Sequence, residues 1–295
     1  MIQIYKKGDW HHKNAHSLEL LNRYENVSVK EWNGERDGII LCNHLDTNVI
    51  ENYENVVLGP GIDFFQGLHF FKHYNGERKI IFNGLSSSIV DLHNIYAVND
   101  KVGYIAIPFP VDVDRFHPAM EKKKRFFLYF KSVHSSRLHF VIQYIQEHPE
   151  IFAEYEYKIF TYGQYQEDYY LDWIKQSVFG IWVGRHESQG FAFQEAMSCG
   201  CPLFVYDIET IKDECINDVH YIYIHKQGDY PLTSASYFDE TCGIIYKKGE
   251  DIHAKFQEFH KQLSNYQPRK FVIDYLTCSQ FIEKLKIHVP GYFTK

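Results

Sequence analysis

The chain has 295 residues, about twice the length of a typical ~150-residue domain, so we expect two domains or one large α/β unit. Hydrophobic residues make up 45% and aromatic residues 17%, which is enough for a large core and excludes a disordered tail. The net charge of −7 comes with no basic half and no block of like charges, so we expect no nucleic acid among the partners.

The N-terminal residues include no apolar run of the length of a secretory signal, and no window reaches the ~18 apolar residues of a spanning helix. The six cysteines are too sparse for a disulfide scaffold and form no Cys-x-x-Cys pair. We therefore expect a cytoplasmic protein without a transmembrane segment, in which the cysteines are reduced and buried.

Short β-branched and aromatic segments alternate with segments of helical period, a pattern typical of parallel α/β layers. The strands expected in the first half are 2–5, 27–29, 38–42, 55–58, 79–82 and 104–107. Those expected in the second half are 126–130, 157–161, 179–183, 202–205, 221–224 and 243–246. Helices are expected over 12–23, 86–96, 136–148, 165–176, 191–199 and 251–264. Two Rossmann-like halves are the simplest account of this order.

The boundary between the halves is expected within residues 108–118, where three of the nine prolines lie. Proline fixes φ and lacks an N–H group, so neither neighbouring element is expected to run through this segment. The predicted domains are therefore residues 1–110 and 111–278.

The most informative segment, 184–205, reads as a strand end, a loop, a short helix and the next strand. In a parallel sheet this loop lies at the carboxyl edge, where open α/β folds bind ligands. Gly190 allows the backbone to approach a ligand closely, and the N–H groups of the turn that contains Phe191 and Ala192 suit a diphosphate.

Two acids bracket this turn, Glu187 in the loop and Glu195 inside the helix. At 1.5 Å of helical rise per residue they lie roughly 10 Å apart, about the reach of a sugar diphosphate from hexose to ribose. Glu195 could accept two hydrogen bonds from a ribose diol, while Glu187 would bind the hexose. The alternative is that both are ordinary surface glutamates of an α/β protein.

The Glu187-x7-Glu195 pair, followed by Ala-Met-Ser-Cys-Gly-Cys-Pro, resembles the donor-site signature of retaining GT-B glycosyltransferases of family 4. Residues 108–118 resemble the interdomain segment of the same family, and the two motifs lie in the expected order. The resemblance implies two Rossmann-like domains whose parallel sheets face a central cleft. It also implies a retaining, metal-independent enzyme that moves a hexose from a UDP- or GDP-sugar to a hydroxyl of a glycan acceptor.

The same resemblance assigns acceptor binding to residues 1–110 and donor binding to 111–278, with a final helical segment, 279–295, that crosses back to the first domain. It implies a basic pair after the first strand of the second domain, which Lys131 and Arg137 supply with the two residue types exchanged. These cations would neutralise charge on the departing nucleoside diphosphate. The alternative is a solvated lysine and arginine flanking a loop.

The catalytic set implied by the resemblance is thus Lys131, Arg137 and Glu187. The donor-binding set is Glu195, Gly190, Phe191, Ala192, Gln189, Tyr162 and Gly163. Tyr162 follows a predicted strand near the expected position of the nucleotide base, on which an aromatic ring could stack. In the first domain, the loop after the first strand supplies the candidate acceptor residues Gly8, Asp9, His11 and His12.

We expect neither a metal nor another cofactor, since the nucleotide-sugar is a co-substrate. The Asp112-x-Asp114 pair matches a metal-binding motif of the other major glycosyltransferase fold, but it lies in the interdomain segment. The sequence from His186 to Gly190 begins like a metalloprotease signature and lacks its second histidine. Among the 17 histidines, no neighbouring cysteine or carboxylate spacing completes a metal site.

Other functions remain open at this point. A sugar-nucleotide epimerase or a phosphorylase could use the same fold, and a catalytically inactive GT-B protein could bind carbohydrate. A nicotinamide oxidoreductase is disfavoured because no Gly-x-Gly-x-x-Gly follows an early strand.

Overall fold

A computed structural model describes residues 1–62, 64–132, 134–210, 213 and 230–294, without the side chains of 64–66. The chain divides into two compact units. The N-terminal unit consists of Met1–Asp112 together with Leu276–Lys295, and the C-terminal unit consists of Val113–Tyr275. The N-terminal unit is therefore built from two separate stretches of the chain.

The N-terminal unit begins with β1 (Ile2–Lys7), α1 (His12–Arg23), β2 (Val27–Glu31), β3 (Ile39–Cys42), α2 (Thr47–Asn52), β4 (Val56–Leu58), α3 (Phe64–His73), β5 (Ile80–Asn83), α4 (Ser87–Tyr96) and β6 (Val102–Ile105). The C-terminal unit contains β7 (Arg125–Phe130), α5 (Ser135–Glu147), α6 (Pro149–Phe152), β8 (Glu156–Thr161), α7 (Glu167–Gln176), β9 (Phe179–Val183), α8 (Phe191–Ser198), β10 (Leu203–Tyr206), β11 (Gly243–Tyr246), α9 (Ile252–Lys261) and α10 (Pro268–Tyr275). The chain then completes the N-terminal unit with α11 (Cys278–His288) and α12 (Pro290–Phe293).

Each unit has one parallel sheet. The strand order is β2-β1-β3-β4-β5-β6 in the N-terminal unit and β11-β10-β9-β7-β8 in the C-terminal unit. The prediction of two Rossmann-like parallel sheets is confirmed. In each sheet the chain leaves the first strand towards one side and later returns to its other side, so β1 lies between β2 and β3, and β7 lies between β8 and β9. Such a reversal opens a crevice at the carboxyl ends of the strands, where ligands of α/β folds bind.

The central strands are buried along their length, as expected when helices cover both faces of a parallel sheet. Every residue of β9 and β10 is buried, and so is every residue of β3 and β4. The edge strand β8 is largely exposed over its first three residues. The hydrophobic runs in the sequence therefore mark the inner strands most clearly.

Lys122 fixes the ends of two helices in the C-terminal unit. Its Nζ donates to the carbonyl oxygens of Ser177, Cys199 and Gly200 at 2.7, 3.0 and 2.9 Å. These carbonyls lie just beyond α7 and α8, where the helix dipole favours a cation. Gly200, with φ of 70°, takes the left-handed conformation common after a helix.

The described elements differ from the sequence predictions in a few places. The helices α2, α3, α6 and α10 were not predicted; three of them have eight residues or fewer, which is too short for a clear helical period. The predicted strand 221–224 lies outside the described residues. The five cysteines in the described part are buried thiols, as expected, and Cys215 lies outside it. Within the described residues, no helix is both long enough and apolar enough to cross a membrane.

Candidate functional site

The crevice of the C-terminal unit contains a buried ion pair between Lys131 and Glu187. Lys131 follows β7 directly, and its N–H donates to the carbonyl of Val183 at 2.9 Å, which extends the pairing with β9 by one residue. Its Nζ donates to both carboxylate oxygens of Glu187 at 2.7 Å. The side chains are only 12% and 8% exposed. Removing one partner would leave the other charge buried and uncompensated.

The backbone of Glu187 is held by the loop that precedes β11. Its N–H donates to the carbonyl of Thr233 at 3.2 Å, and its carbonyl accepts from Ser236 Oγ at 2.7 Å. This loop is fixed in turn by the buried side chain of Asp207, which follows β10. The carboxylate of Asp207 accepts from Thr233 Oγ1 at 2.8 Å and from the N–H and Oγ of Ser234 at 2.6 Å each.

Asp207 is a positioning residue that sequence reasoning missed. Burial raises the pKa of its carboxyl, and the hydrogen bonds from Ser234 and Thr233 act in the opposite direction. No motif marks this pairing, because Asp207 lies far from Ser234 in the sequence. Its place directly after a fully apolar strand was the signal available.

Tyr162 lies beside the ion pair. It follows β8, and its N–H donates to the carbonyl of Phe130 at 2.9 Å. The ring is half exposed, and Lys131 Nζ lies 4.5 Å from its centroid. The guanidinium carbon of Arg185 lies 5.9 Å from the same centroid. The aromatic face predicted to stack on a base is thus already in contact with two cations; the turn continues through Gly163, whose φ is 73°.

Arg185 is the second residue that sequence reasoning missed. It stands in the loop after β9, two residues before Glu187, and is half buried. Within the described part of the chain it forms no ion pair. The available signal was a cationic residue at the end of a buried strand next to the reversal of strand order.

Arg137, predicted to act with Lys131, is occupied by protein groups. It lies in the first turn of α5 and is 7% exposed. One guanidinium nitrogen donates to the carbonyl of Asp207 at 3.2 Å, and another lies 3.4 Å from Asp213 Oδ1. The guanidinium also packs over the ring of Tyr206 at 4.9 Å. A ligand that binds Arg137 would have to replace these contacts, and its role at the donor diphosphate stays a prediction.

Helix α8 begins at Gly190, whose φ of 82° takes the left-handed conformation that glycine adopts without strain. Gln189 and Gln194 lock this start by two hydrogen bonds. Gln189 Nε2 donates to Gln194 Oε1 at 3.0 Å, and Gln194 Nε2 donates to the carbonyl of Gln189 at 2.9 Å. The half-buried Phe191 and Ala192 occupy the first turn, whose N–H groups lack intrahelical acceptors.

Glu195 lies in the same helix and is 3% exposed, in contrast to an ordinary surface glutamate. The pKa values of Tyr129 and Tyr170 are raised, mainly because both hydroxyls are buried and to a smaller extent because of nearby charges that include Glu195. The Tyr170 hydroxyl donates to the carbonyl of Ala192 at 2.9 Å, which ties α7 to α8. The ribose-binding role of Glu195 stays a prediction.

The corresponding edge of the N-terminal unit has a partly buried ion pair: Lys7 Nζ lies 2.7 Å from Asp46 Oδ2, and the two side chains are 22% and 21% exposed. Gly8 follows β1 with φ of 94°, and a Cβ there would lie 2.4 Å from Nδ1 of His44. Asn43, which follows β3, donates through Nδ2 to the carbonyl of Asp9 and accepts through Oδ1 from the N–H of Gly61 at 2.7 Å. One buried amide therefore joins the loops after β1, β3 and β4. Asn43 and His44 were not predicted.

His11 and His12 continue this loop into α1. His11 is the N-cap, and its Nδ1 accepts from the N–H of Lys13 at 3.4 Å. Its ring lies 4.2 Å from that of His12. The four predicted acceptor residues thus share one loop at the carboxyl end of β1.

Comparison with solved structures identifies the fold. A variant of TarM from S. aureus in complex with fondaparinux, alpha-GlcNAc-glycerol and UDP has a TM-score of 0.55 at 12% identity, covering 94% of this chain and 59% of that one. The pneumococcal O-GlcNAc transferase GtfA in complex with UDP and GlcNAc gives 0.53 at 10% identity, covering 97% and 61%. The apo lipopolysaccharide outer core galactosyltransferase WaaB gives 0.50 at 10% identity, covering 98% and 99%.

This chain has the GT-B glycosyltransferase fold. It spans less than two thirds of TarM and of GtfA, and nearly all of WaaB. No protein-family model and no curated protein matches the sequence. At these identities the likeness shows the GT-B architecture, and the chemistry must be argued from the side chains in the two crevices.

Proposed function

We propose that this protein is a retaining, metal-independent glycosyltransferase that moves a hexose from a UDP- or GDP-sugar to a hydroxyl of a glycan acceptor. The observation that supports this most is the Lys131–Glu187 pair, flanked by Tyr162 and Arg185, at the reversal of strand order in the C-terminal unit. Two of the similar structures contain UDP, which fits a nucleotide ligand at this edge.

In this proposal Lys131 and Arg185 bind the donor diphosphate. The lysine ammonium has three N–H bonds, of which Glu187 accepts two, so one remains for a phosphate oxygen. The N–H groups of residues 190–192 at the start of α8 supply a second anion-binding group. Together they stabilise the charge that develops as the nucleoside diphosphate leaves, so that no metal ion is needed.

The remaining donor contacts follow the sequence prediction. A diphosphate that draws Lys131 towards itself weakens its bond to Glu187, whose carboxylate then accepts hydrogen bonds from the hexose hydroxyls. Glu195 binds the ribose, and Tyr162 with Gly163 borders the base. Gln189 holds the start of α8 in place through Gln194.

Acceptor binding is proposed for the crevice of the N-terminal unit, at Gly8, Asp9, His11 and His12 with Asn43 and His44. Imidazole nitrogens, a carboxylate and an amide are groups that can donate to or accept from a sugar hydroxyl. No protein nucleophile is assigned; the donor phosphate takes the acceptor proton.

One observation favours a second candidate, a GT-B protein that binds carbohydrate without catalysis. Lys131 pairs with Glu187 and Arg137 with Asp213, and Arg137 also donates to the carbonyl of Asp207, so both predicted cations have partners within the protein. In this alternative the ion pairs are permanent and no donor diphosphate enters.

The test combines purified protein with UDP- and GDP-hexoses and a glycan library, with and without chelator. We expect nucleoside diphosphate release that depends on the acceptor and is unaffected by chelator, and a product whose anomeric configuration matches the donor by NMR. Release without acceptor would instead support an epimerase or phosphorylase, and binding without turnover the inactive protein.

Arg185→Ala serves as the site variant, with Lys158→Ala on the exposed part of β8 as its matched control. We expect Arg185→Ala to weaken UDP binding about ten-fold, as for the loss of one charged hydrogen bond, and Lys158→Ala to leave it unchanged. Equal affinities for the two variants would remove Arg185 from the proposed site.

A further inference from the structure

Three side chains that are remote in sequence meet on the C-terminal unit, outside the crevice. They are His148, which joins α5 to α6, Glu150 in the first turn of α6, and His253 in the first turn of α9. One ligand atom of each lies within 4.8 Å of those of the other two. His148 Nδ1 lies 2.7 Å from Glu150 Oε1, and the two imidazole rings are 4.3 Å apart between centroids.

This set of atoms is chemically that of a zinc site. Imidazole nitrogens and a carboxylate oxygen are ligands that Zn²⁺ binds at about 2.0–2.2 Å, commonly as three protein ligands with a fourth position open to water. Bonds of that length place ligand atoms roughly 3.4 Å apart, so distances of up to 4.8 Å in the cluster have to shorten by up to about 1.4 Å. Glu150 is exposed and His148 half buried, which allows this adjustment.

The two rings are inclined by only 23°, so their in-plane lone pairs do not yet converge. Metal binding requires one ring to turn about its Cβ–Cγ bond, and the nearby side chains indicate which. His253 is anchored, since the Tyr144 hydroxyl lies 3.3 Å from its Nδ1. A ligating histidine is commonly oriented in this way through its second nitrogen. His148 is therefore the ring expected to turn.

Nε2, the other ring nitrogen of His253, is the one that can bind a metal. Gln257 Nε2 lies 2.8 Å from His253 Nε2, and because an amide nitrogen only donates, that ring nitrogen carries the lone pair. Gln257 is exposed and can swing away.

We propose that His148, Glu150 and His253 form a binding site for a divalent transition metal of the zinc class, which links the start of α6 to the start of α9. The site is independent of the transferase function proposed above. Sequence spacing led us to expect no metal, because the histidines approach only through the packing of α5, α6 and α9.

The experiment uses the whole chain without an affinity tag, first treated with chelator. Zn²⁺ is titrated by calorimetry, and Co²⁺ serves as a spectroscopic probe because its visible absorption reports tetrahedral histidine and carboxylate ligands. We expect one saturable site, with affinity lowered at least ~10-fold by His253→Ala and by Glu150→Gln. His139→Ala, an exposed histidine of α5, is the matched control and should bind as the wild type does.

Gln257→Ala provides an independent readout, since removing the competing amide should leave zinc affinity unchanged or increase it. Metal that binds the folded chain should also raise its unfolding temperature, and Mg²⁺ at the same concentration should not. Zinc binding unaffected by both His253→Ala and Glu150→Gln, or lowered equally by His139→Ala, would overturn the proposal. A cooperative thermal unfolding transition of each variant without metal shows that the variant is folded.

Discussion

The two crevices occupy the same position in the same strand arrangement but differ in chemistry. In the C-terminal unit, the loops after β7 and β9 bring together Lys131, Glu187 and Arg185. In the N-terminal unit, the loops after β1 and β3 bring together Gly8 and Asn43, and the ion pair at this edge, between Lys7 and Asp46, is only partly buried. The topology fixes where the loops meet, and the side chains on those loops give each crevice its own chemistry.

The two crevices are also stabilised differently. A neutral amide, Asn43, fixes the loops of the N-terminal unit, whereas a buried carboxyl, Asp207, fixes the loop behind Glu187. Both use one short side chain that bonds several backbone or hydroxyl groups. The crevice of the C-terminal unit should therefore be disturbed most by changes of charge, and the loops of the N-terminal unit by loss of a hydrogen bond.

The largest effect is expected when the Lys131–Glu187 pair in the crevice of the C-terminal unit is broken. Lys131→Ala should lower the rate of sugar transfer ~10²–10³-fold, because a preorganised donor to the leaving group is lost. Initial rates at saturating donor measure this. Lys131→Arg keeps the charge and should retain more activity than the alanine variant. Equal rates for wild type and Lys131→Ala would contradict the assignment.

The next prediction is that the stability of the two units depends on pH in opposite directions. Burial lowers the pKa of His93, in the N-terminal core, from 6.5 to about 4. Between these values only the unfolded state gains the proton, so the free energy of unfolding falls as the pH drops, by ~3 kcal/mol in all at ~1.4 kcal/mol per unit. Asp207 has a raised pKa, so acidification favours the folded state there.

Hydrogen exchange measured on peptides of β4 and β9 at pH 7 and pH 4.5 checks these opposite pH responses. Protection of β4 should fall more on acidification than that of β9. His93→Leu should reduce the fall in the N-terminal unit. A β4 response that is the same in the wild type and in His93→Leu would contradict the prediction.

A smaller effect is expected in the crevice of the N-terminal unit. Asn43→Ala should lower the free energy of unfolding by ~2 kcal/mol, since the N–H of Gly61 and the carbonyl of Asp9 lose a buried partner. Denaturant unfolding measures the change. UDP affinity should remain that of the wild type, and a ten-fold loss of it would show that the two crevices are not separate in function.

The smallest effect concerns the ring between the two cations. Tyr162→Ala should weaken UDP binding about five-fold, which corresponds to ~1 kcal/mol for one aromatic contact. Tyr162→Phe keeps the ring and should bind as the wild type does. Calorimetric titration distinguishes them, and a loss in the phenylalanine variant alone would point to the hydroxyl instead.

The sequence predicted most of the sheet strands because buried parallel strands leave continuous apolar runs, as in β9 and β10. It also placed Lys131, Glu187 and Tyr162 at one sheet edge, because each follows a strand. It did not indicate that Lys131 Nζ bonds Glu187 or that Arg137 is occupied, since rotamers and packing decide such contacts. Asp207 and Asn43 were missed for the same reason: their partners are remote in sequence.

The N-terminal unit is completed by residues 276–295, and the Tyr292 hydroxyl accepts from the N–H of Gln3 at 2.8 Å. In the order of synthesis, the strands of this unit emerge first and their last helices emerge last. Domains commonly fold during translation in the order in which they appear. Here every residue of the C-terminal unit is synthesised before the closing segment, so the unit that begins first is the later of the two to have all of its residues available.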